Sequence, residues 1–294
     1  MLFRQALPAL SLLLAATLWG LFWWPVRQLA GHGLSGLWAT LIMYLAALLP
    51  FLPWFWRRRG GLRSHGLDAA LLALFAGWCN IAFILALLEG NVVRVLLLFY
   101  LSPVWTVLLG WALLGERPRP LSWLMLMVAM CGALIMLWSP ELESLMPRNL
   151  GDILALSSGM AFAVNNVLIR KTGEMPLIIK MVVTWIGVVV LAVAGIVLLG
   201  ESLPVLPPAV YLAAVLTGWL VLVLMTFATA YGVSLMPVHR SAVIMLFEIV
   251  VGAISAWWLA GEGLSPREWL GGGLVVLAAV IAAYADARSS RPCT

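Results

Sequence analysis

Long apolar runs, separated by short clusters of glycine, proline and charged residues, make up almost all of the chain. An α-helix needs roughly 20 apolar residues to cross the hydrocarbon core of a bilayer. By that measure the pattern predicts ten membrane-spanning helices, at about 6–28, 34–55, 67–88, 92–114, 121–138, 150–170, 177–199, 207–231, 240–260 and 267–285. The breakers fall between them: Arg57-Arg58-Arg59-Gly60-Gly61, Gly115-Glu116-Arg117-Pro118, Ser139-Pro140, Pro204 to Pro208, and Ser265-Pro266. The first run follows Arg4 and has the outline of a cleaved signal peptide, but a counterpart later in the chain marks it as a retained span.

Composition agrees with lipid as the solvent. The 294 residues are 64% hydrophobic and 10% charged, with a mean hydropathy of +1.07, where soluble domains run near ~45–50% apolar and ~25% charged. So few charges cannot coat a water-facing surface of this size, and no separate soluble domain is expected. The net charge of +5 is dispersed in loops, which fits orientation in a membrane and not nucleic-acid binding. With the amino terminus in the cytoplasm, Arg4, the four arginines from Arg57 to Arg63, Arg117, Arg119, Arg170, Lys171, Lys180, Arg240, Arg288 and Arg291 lie inside. Only Arg27, Arg94, Arg148 and Arg267 lie outside. Both termini are therefore expected to be cytoplasmic, which requires an even number of spans.

Sliding the chain along itself reveals an internal repeat. At an offset of 146, Arg94 to Leu124 meets Arg240 to Leu270 with nine identities in 31 positions, among them Arg94/Arg240, Trp111/Trp257, Gly115/Gly261, Glu116/Glu262 and Pro120/Pro266. At an offset of 143 the first span meets the sixth, aligning Trp19, Trp23 and Arg27 with Phe162, Asn166 and Arg170. Gly77-Trp78 matches Gly218-Trp219 with a shift that lengthens the eighth span. The repeat divides a single membrane domain into residues 1–140 and 141–294, five spans each. Five is odd, so the second copy is expected upside down relative to the first. The predicted fold is thus all-α and integral to the membrane, with ten transmembrane helices as two inverted five-helix repeats. Such repeats give one protein two states of similar energy, one open to each side, around a site near the midplane.

These residues also carry a resemblance. The first span holds Trp19-Gly20 followed by Arg27, and the fourth has a central Pro103 and ends in Leu114-Gly115-Glu116-Arg117, echoed by Gly261-Glu262. In this the whole chain resembles the drug/metabolite transporter superfamily, in its ten-helix EamA-type branch, and the Trp-rich core looks most like the bacterial aromatic amino acid exporters. The resemblance implies a secondary transporter of the inner membrane that exports small amphipathic metabolites, aromatic and other amino acids among them, without a cofactor. It also implies a substrate site between the first, third, fourth, sixth, eighth and ninth spans, with the fifth and tenth peripheral. One position departs from the pattern: such families often carry a proline near the middle of the ninth span, and here Ile249 stands opposite Pro103. The ninth span is left without a proline to bend it.

Charged groups in lipid cost roughly 2.5–3.5 kcal/mol at a helix centre, so those present face a cavity or a partner. Glu248 lies near the middle of the ninth span, with Ser102 as its repeat mate and Gly252 and Ser255 continuing its face. Two readings fit it: a carboxylate that binds an ammonium group or exchanges protons, and a neutral acid hydrogen-bonded to a neighbouring helix. Thr106 continues the face of Ser102. Asn80, Asn165, Asn166 and Thr226 can hold a zwitterion without placing a full charge in the bilayer, or can bond helix to helix. Trp19, Trp23, Phe83 and Phe162 offer flat apolar walls for a substrate, although packing and the interfacial belt claim most of the sixteen tryptophans. Pro103 frees the carbonyl of Phe99, so the fourth span is expected to bend. Arg94 and Arg240 read as interfacial anchors or partners of nearby acids.

A membrane-embedded enzyme and a structural membrane subunit are the competing classes. The chain has no HExxH, no GxSxG, no GxxxxGK[ST] and no intramembrane aspartate pair, and His32, His65 and His239 lie near loops. Cys79, Cys131 and Cys293 show no spacing for a disulfide framework or a zinc site. The expectation is a non-enzyme whose partners are the lipid bilayer and a small-molecule substrate, with no nucleic acid and no metal. A single chain suffices for this, while Gly252, Ala256 and Ala260 permit close helix contact within or between chains.

Overall fold

A computed structural model describes residues 2–58, 60, 65–138, 147–261 and 263–289. Of the residues singled out above, Arg59, Gly61, Arg63, Ser139, Pro140, Glu262, Arg291 and Cys293 lie outside the described residues, as do the side chains of Arg4, Arg58 and Arg288. Among the described residues the chain forms ten apolar helices long enough to cross a membrane. They are α1 (Ala6–Gly31), α2 (Gly36–Arg57), α3 (Gly66–Glu89), α4 (Val92–Leu114), α5 (Pro120–Leu137), α6 (Leu150–Lys171), α7 (Leu177–Leu199), α8 (Pro208–Leu235), α9 (Val238–Ala260) and α10 (Pro266–Tyr284). Each expected span is present, with ends within four residues of the expected positions.

Local chemistry sets these ends. Asn91 and Asn149 cap α4 and α6, their side-chain oxygens accepting from the backbone N–H groups of Val93 and Asp152 at 3.0 and 2.8 Å. Gly115, Gly200 and Gly261 end α4, α7 and α9 with φ of 68, 65 and 69°, a left-handed conformation that only glycine takes without strain. Gly115 and Gly261, which match in the repeat, are thus helix stops.

Helix contacts exchange between the first five helices and the last five. α3 packs on α6 and α7, and α8 packs on α1 and α2; α4 meets α6, and α9 meets α1. The pairs α2 with α7, α4 with α9 and α5 with α10 cross directly. Glycines allow the closest crossings, as expected where backbones must approach without water to drive them together. Gly77 on α3 lies against the Gly187 carbonyl of α7, and its sequence match Gly218 on α8 lies against the Met43 carbonyl of α2. Neither has room for a Cβ. Between Gly77-Trp78 and Asn80 the offset to the second copy grows from 141 to 146. A π-helical stretch, Thr217–Leu222, occupies that place in α8 and takes up part of the extra length.

Candidate functional site

Two of the ten helices, α4 and α9, are interrupted near their middles by non-helical turn residues, where α2 is interrupted only by a 3₁₀ turn at Leu49–Phe51 and α8 by its π-helical stretch. α4 consists of Val92–Phe99 and Ser102–Leu114, and α9 of Val238–Met245 and Phe247–Ala260. Three of these four boundaries coincide when shifted by 146, and the fourth differs by one residue. Pro103 lies at the break in α4, in the first turn of the second segment. The Phe99 carbonyl that it frees packs against Gly159 of α6, which has no room for a Cβ beside it. The break in α9 has no proline. There the Ile249 N–H donates to the Leu246 carbonyl at 3.1 Å, as the Val104 N–H donates to Leu101 at 3.0 Å, so a tight i−3 turn breaks both helices. α9 is thus interrupted at Leu246 although no proline stands there to predict it.

The breaks face each other across a cavity of about 10 Å³, room for about one water molecule. Tyr100, Ser102, Pro103 and Thr106 of α4, Phe162 of α6, and Ala242, Met245, Leu246 and Glu248 of α9 line it. Tyr100 and Glu248 line it from opposite helices. Ser102 and Thr106 are buried, and the Thr106 hydroxyl donates to the Ser102 carbonyl at 2.8 Å. The cavity thus has a carboxyl and a phenol on opposite helices, beside apolar walls. That set can hold a cationic or hydrogen-bonding head, or a proton, next to an apolar body.

Of the residues expected to meet a substrate, Ser102, Thr106, Phe162 and Glu248 come together here, with Pro103 beside them. Phe83 joins through Phe99, whose ring lies 4.9 Å from Phe83 and 5.6 Å from Phe162. Asn165 and Asn166, on the α6 turn after Phe162, each hold a buried side-chain oxygen with no hydrogen-bond partner, as does the Trp105 indole N–H. Such groups are costly to leave unpaired, and they suit a polar solute or water. The remaining candidates are engaged elsewhere. Trp19 donates to Thr229 of α8 at 3.2 Å and Trp23 to Ser255 of α9 at 2.9 Å, so both tryptophans tie α1 to its neighbours. Asn80 accepts from the Tyr44 hydroxyl at 3.0 Å and donates to the Ala76 carbonyl. Thr226 donates to the Leu222 carbonyl within α8 at 2.7 Å. Tyr100, Ala242, Met245 and Leu246 of the lining were missed. For Tyr100 and Met245 the signal was position: Tyr100 lies one residue past Phe99, where the break turns the chain, and Met245 is the repeat mate of Phe99.

Ion pairs tie the helices together at both ends of the bundle. At one end the Arg94 guanidinium meets Asp152 at 2.7 Å, linking α4 to α6; Asp152 is fully buried and also accepts from the Arg148 N–H. At the other end Glu116 accepts from Arg170 of α6 at 2.9 Å and from the Val238 N–H at the start of α9 at 2.8 Å. The glutamate of the Leu-Gly-Glu-Arg turn thus closes this end of the cleft between α4, α6 and α9. Nearby, the buried Lys180 ammonium donates to the Ile169 carbonyl at 2.8 Å, where the carbonyl end of α6 favours a cation.

Ten spanning helices around a small polar cavity define a polytopic membrane protein built on a helical bundle. The chain belongs to the EamA-like transporter family, whose model matches residues 6–138 and 149–284, and so to the drug/metabolite transporter superfamily. It is a multi-pass inner-membrane protein. Protein RarD of Escherichia coli is 29% identical over 94 residues, covering 32% of this chain and 28% of RarD. The chain therefore spans less than a third of that relative's length in the match. An uncharacterized transporter of Archaeoglobus fulgidus is 26% identical over 276 residues, 92% of this chain and 94% of the relative. One of Pseudomonas aeruginosa is 32% identical over 152 residues, 51% and 47% of the two chains. A solved structure superposes with a TM-score of 0.77 at 18% identity, covering 98% of this chain and 99% of the other, and shares the fold.

Proposed function

We propose that the chain is a secondary transporter that exports small amphipathic metabolites, aromatic and other amino acids among them, by alternating access. The observation that carries this reading is Glu248: among the described residues it is the acidic group lining the cavity between the breaks of α4 and α9. In this role the carboxyl meets the substrate's ammonium group or carries the coupling proton. Phe162, Phe83 and Phe99 flank the apolar part, and Asn165 and Asn166 meet polar groups as the cavity widens.

Residues 1–140 and 141–294 then act as two inverted halves. The two family matches, the exchanged helix contacts and the paired breaks support that division. The ion pairs at both ends join the halves, and in this reading opening to either side requires one pair to part. The basic residues favour the Glu116–Arg170 end as the cytoplasmic one. Counterflow into proteoliposomes with labelled Phe, Trp, Leu and Thr, with and without a pH gradient, tests the reading. Accelerated uptake of at least one of them is expected, and no counterflow of any would contradict amino acid export.

A further inference from the structure

α10 carries three consecutive glycines, and only the first is explained by packing. A Cβ on Gly271 would lie 2.5 Å from the Gly132 carbonyl oxygen, and one on Gly132 would lie 2.6 Å from the Gly271 oxygen, so α5 and α10 cross backbone to backbone there. Gly272 would make only ordinary contacts of 3.7 to 3.8 Å with Val250 and Met136, and a Cβ on Gly273 would meet nothing within 4 Å. Each glycine disfavours a helix by about 0.8–1.0 kcal/mol relative to alanine. Packing therefore does not require the second and third.

What they leave is a cavity of about 250 Å³ between α5, α9 and α10. Met136, Val250, Ala253, Ile254, Leu264 and Val276 wall it, and its one charged neighbour, Glu268, spends a carboxylate oxygen on the Ser265 N–H and hydroxyl, both at 2.7 Å. This is a capping box at the start of α10. Ile254 and Trp269 at the rim are exposed within spanning helices, so the cavity is continuous with the lipid-facing surface. An apolar void open to hydrocarbon fills, because its walls otherwise forfeit their dispersion contacts. The volume falls below the roughly 300–1,000 Å³ of sites for drug-sized solutes, and no set of polar groups converges to orient one. A stretch of an unbranched apolar chain, the rest of which stays in the surrounding hydrocarbon, matches both properties.

We propose that this cavity is a lipid site in which one acyl chain of a bilayer phospholipid lodges between α9 and α10 against Gly272 and Gly273. The chain completes the packing of the second segment of α9, whose other side carries Glu248 and the central cavity. If the transport reading above holds, a yielding hydrocarbon chain lets that segment shift about Leu246, where a packed side chain would resist.

Reconstitution into vesicles of phosphatidylcholine bearing a photoreactive diazirine in mid-acyl chain tests the site without reference to transport. After irradiation, peptide mapping is expected to place adducts on Val250–Ile254 and Gly272–Val276 above the level on Val190 and Val193, exposed nearer the middle of α7. Gly273→Leu, and independently Ala253→Leu on the opposite wall, should abolish the α9 and α10 excess while leaving the α7 adducts unchanged, which also reports that the bundle has folded. Wild-type adducts on α9 and α10 no greater than those on α7 would overturn the proposal. So would an excess that persists when the cavity is filled.

Discussion

α4 and α9 reach the same backbone shape from different residues. α4 has a proline to break it and presents Tyr100, Ser102 and Thr106 to the cavity; α9 has no proline and presents Met245, Leu246 and Glu248. The shape is shared and the chemistry is not. A duplicated bundle repeats its backbone geometry because helix crossings and helix stops fix it. Gly110 of α4 presses on Val238 of α9, Gly20 of α1 presses on the Glu248 carbonyl, and Gly115 and Gly261 close the two helices alike. A substrate is not two-fold symmetric, however, so one copy is free to supply the charge and the other the hydroxyls.

If the fold and not the proline sets the break, prolines should be tolerated unequally along α9. Ile254→Pro, inside the second segment at a lipid-exposed position, removes a ladder hydrogen bond and clashes with the preceding turn, at a cost of about 3 kcal/mol or more. Ile249→Pro loses the i−3 bond to Leu246, about 1 kcal/mol, beyond the truncation of its buried side chain, so each proline is read against the alanine variant at the same position. Thermal unfolding of the purified variants should therefore separate them clearly, and equal losses would show α9 to be an ordinary continuous helix.

Tyr100→Phe deletes one hydroxyl opposite Glu248. With a net hydrogen bond worth about 0.5–1.5 kcal/mol, the apparent affinity for substrate should weaken by roughly 2- to 10-fold at unchanged stability, read from the concentration dependence of counterflow. Tyr44→Phe, at the Asn80 pair away from the cavity, serves as the matched control and should leave that affinity alone. The smallest effect is expected at Pro103→Ala. Stability should fall by about 0.4–1 kcal/mol through the looser unfolded chain, and transport should survive, because α9 keeps its break without a proline. Loss of transport in this variant would return the break in α4 to the proline.

Apolar run length was enough to place all ten helices, because a bilayer leaves the backbone no other economical way across. The repeat offset did more, since Ser102 and Glu248 share a cavity for the same reason that they share a register. Tertiary pairing was not legible. Trp19 and Trp23 carry the i, i+4 stripe of a cavity wall, yet their indole N–H groups found Thr229 and Ser255 on adjacent helices, and one sequence pattern serves both uses. Asn80 and Thr226 correspond in the repeat, but one bonds across to α2 and the other to its own helix. The break in α9 was hidden because no proline marks it and its i−3 turn leaves no trace in the hydrophobic pattern.

The central claim is that the carboxyl at the α9 break is the working group of the site. Its most direct test is Glu248→Gln, reconstituted at equal density with wild type, with counterflow and pH-gradient-driven uptake of the best-transported amino acid measured side by side. A charged partner lost to hydrogen bonding is worth about 1.5–3 kcal/mol, so the variant should transport roughly 10- to 100-fold more slowly and should no longer respond to the gradient. Wild-type rates with an intact pH response would contradict the account.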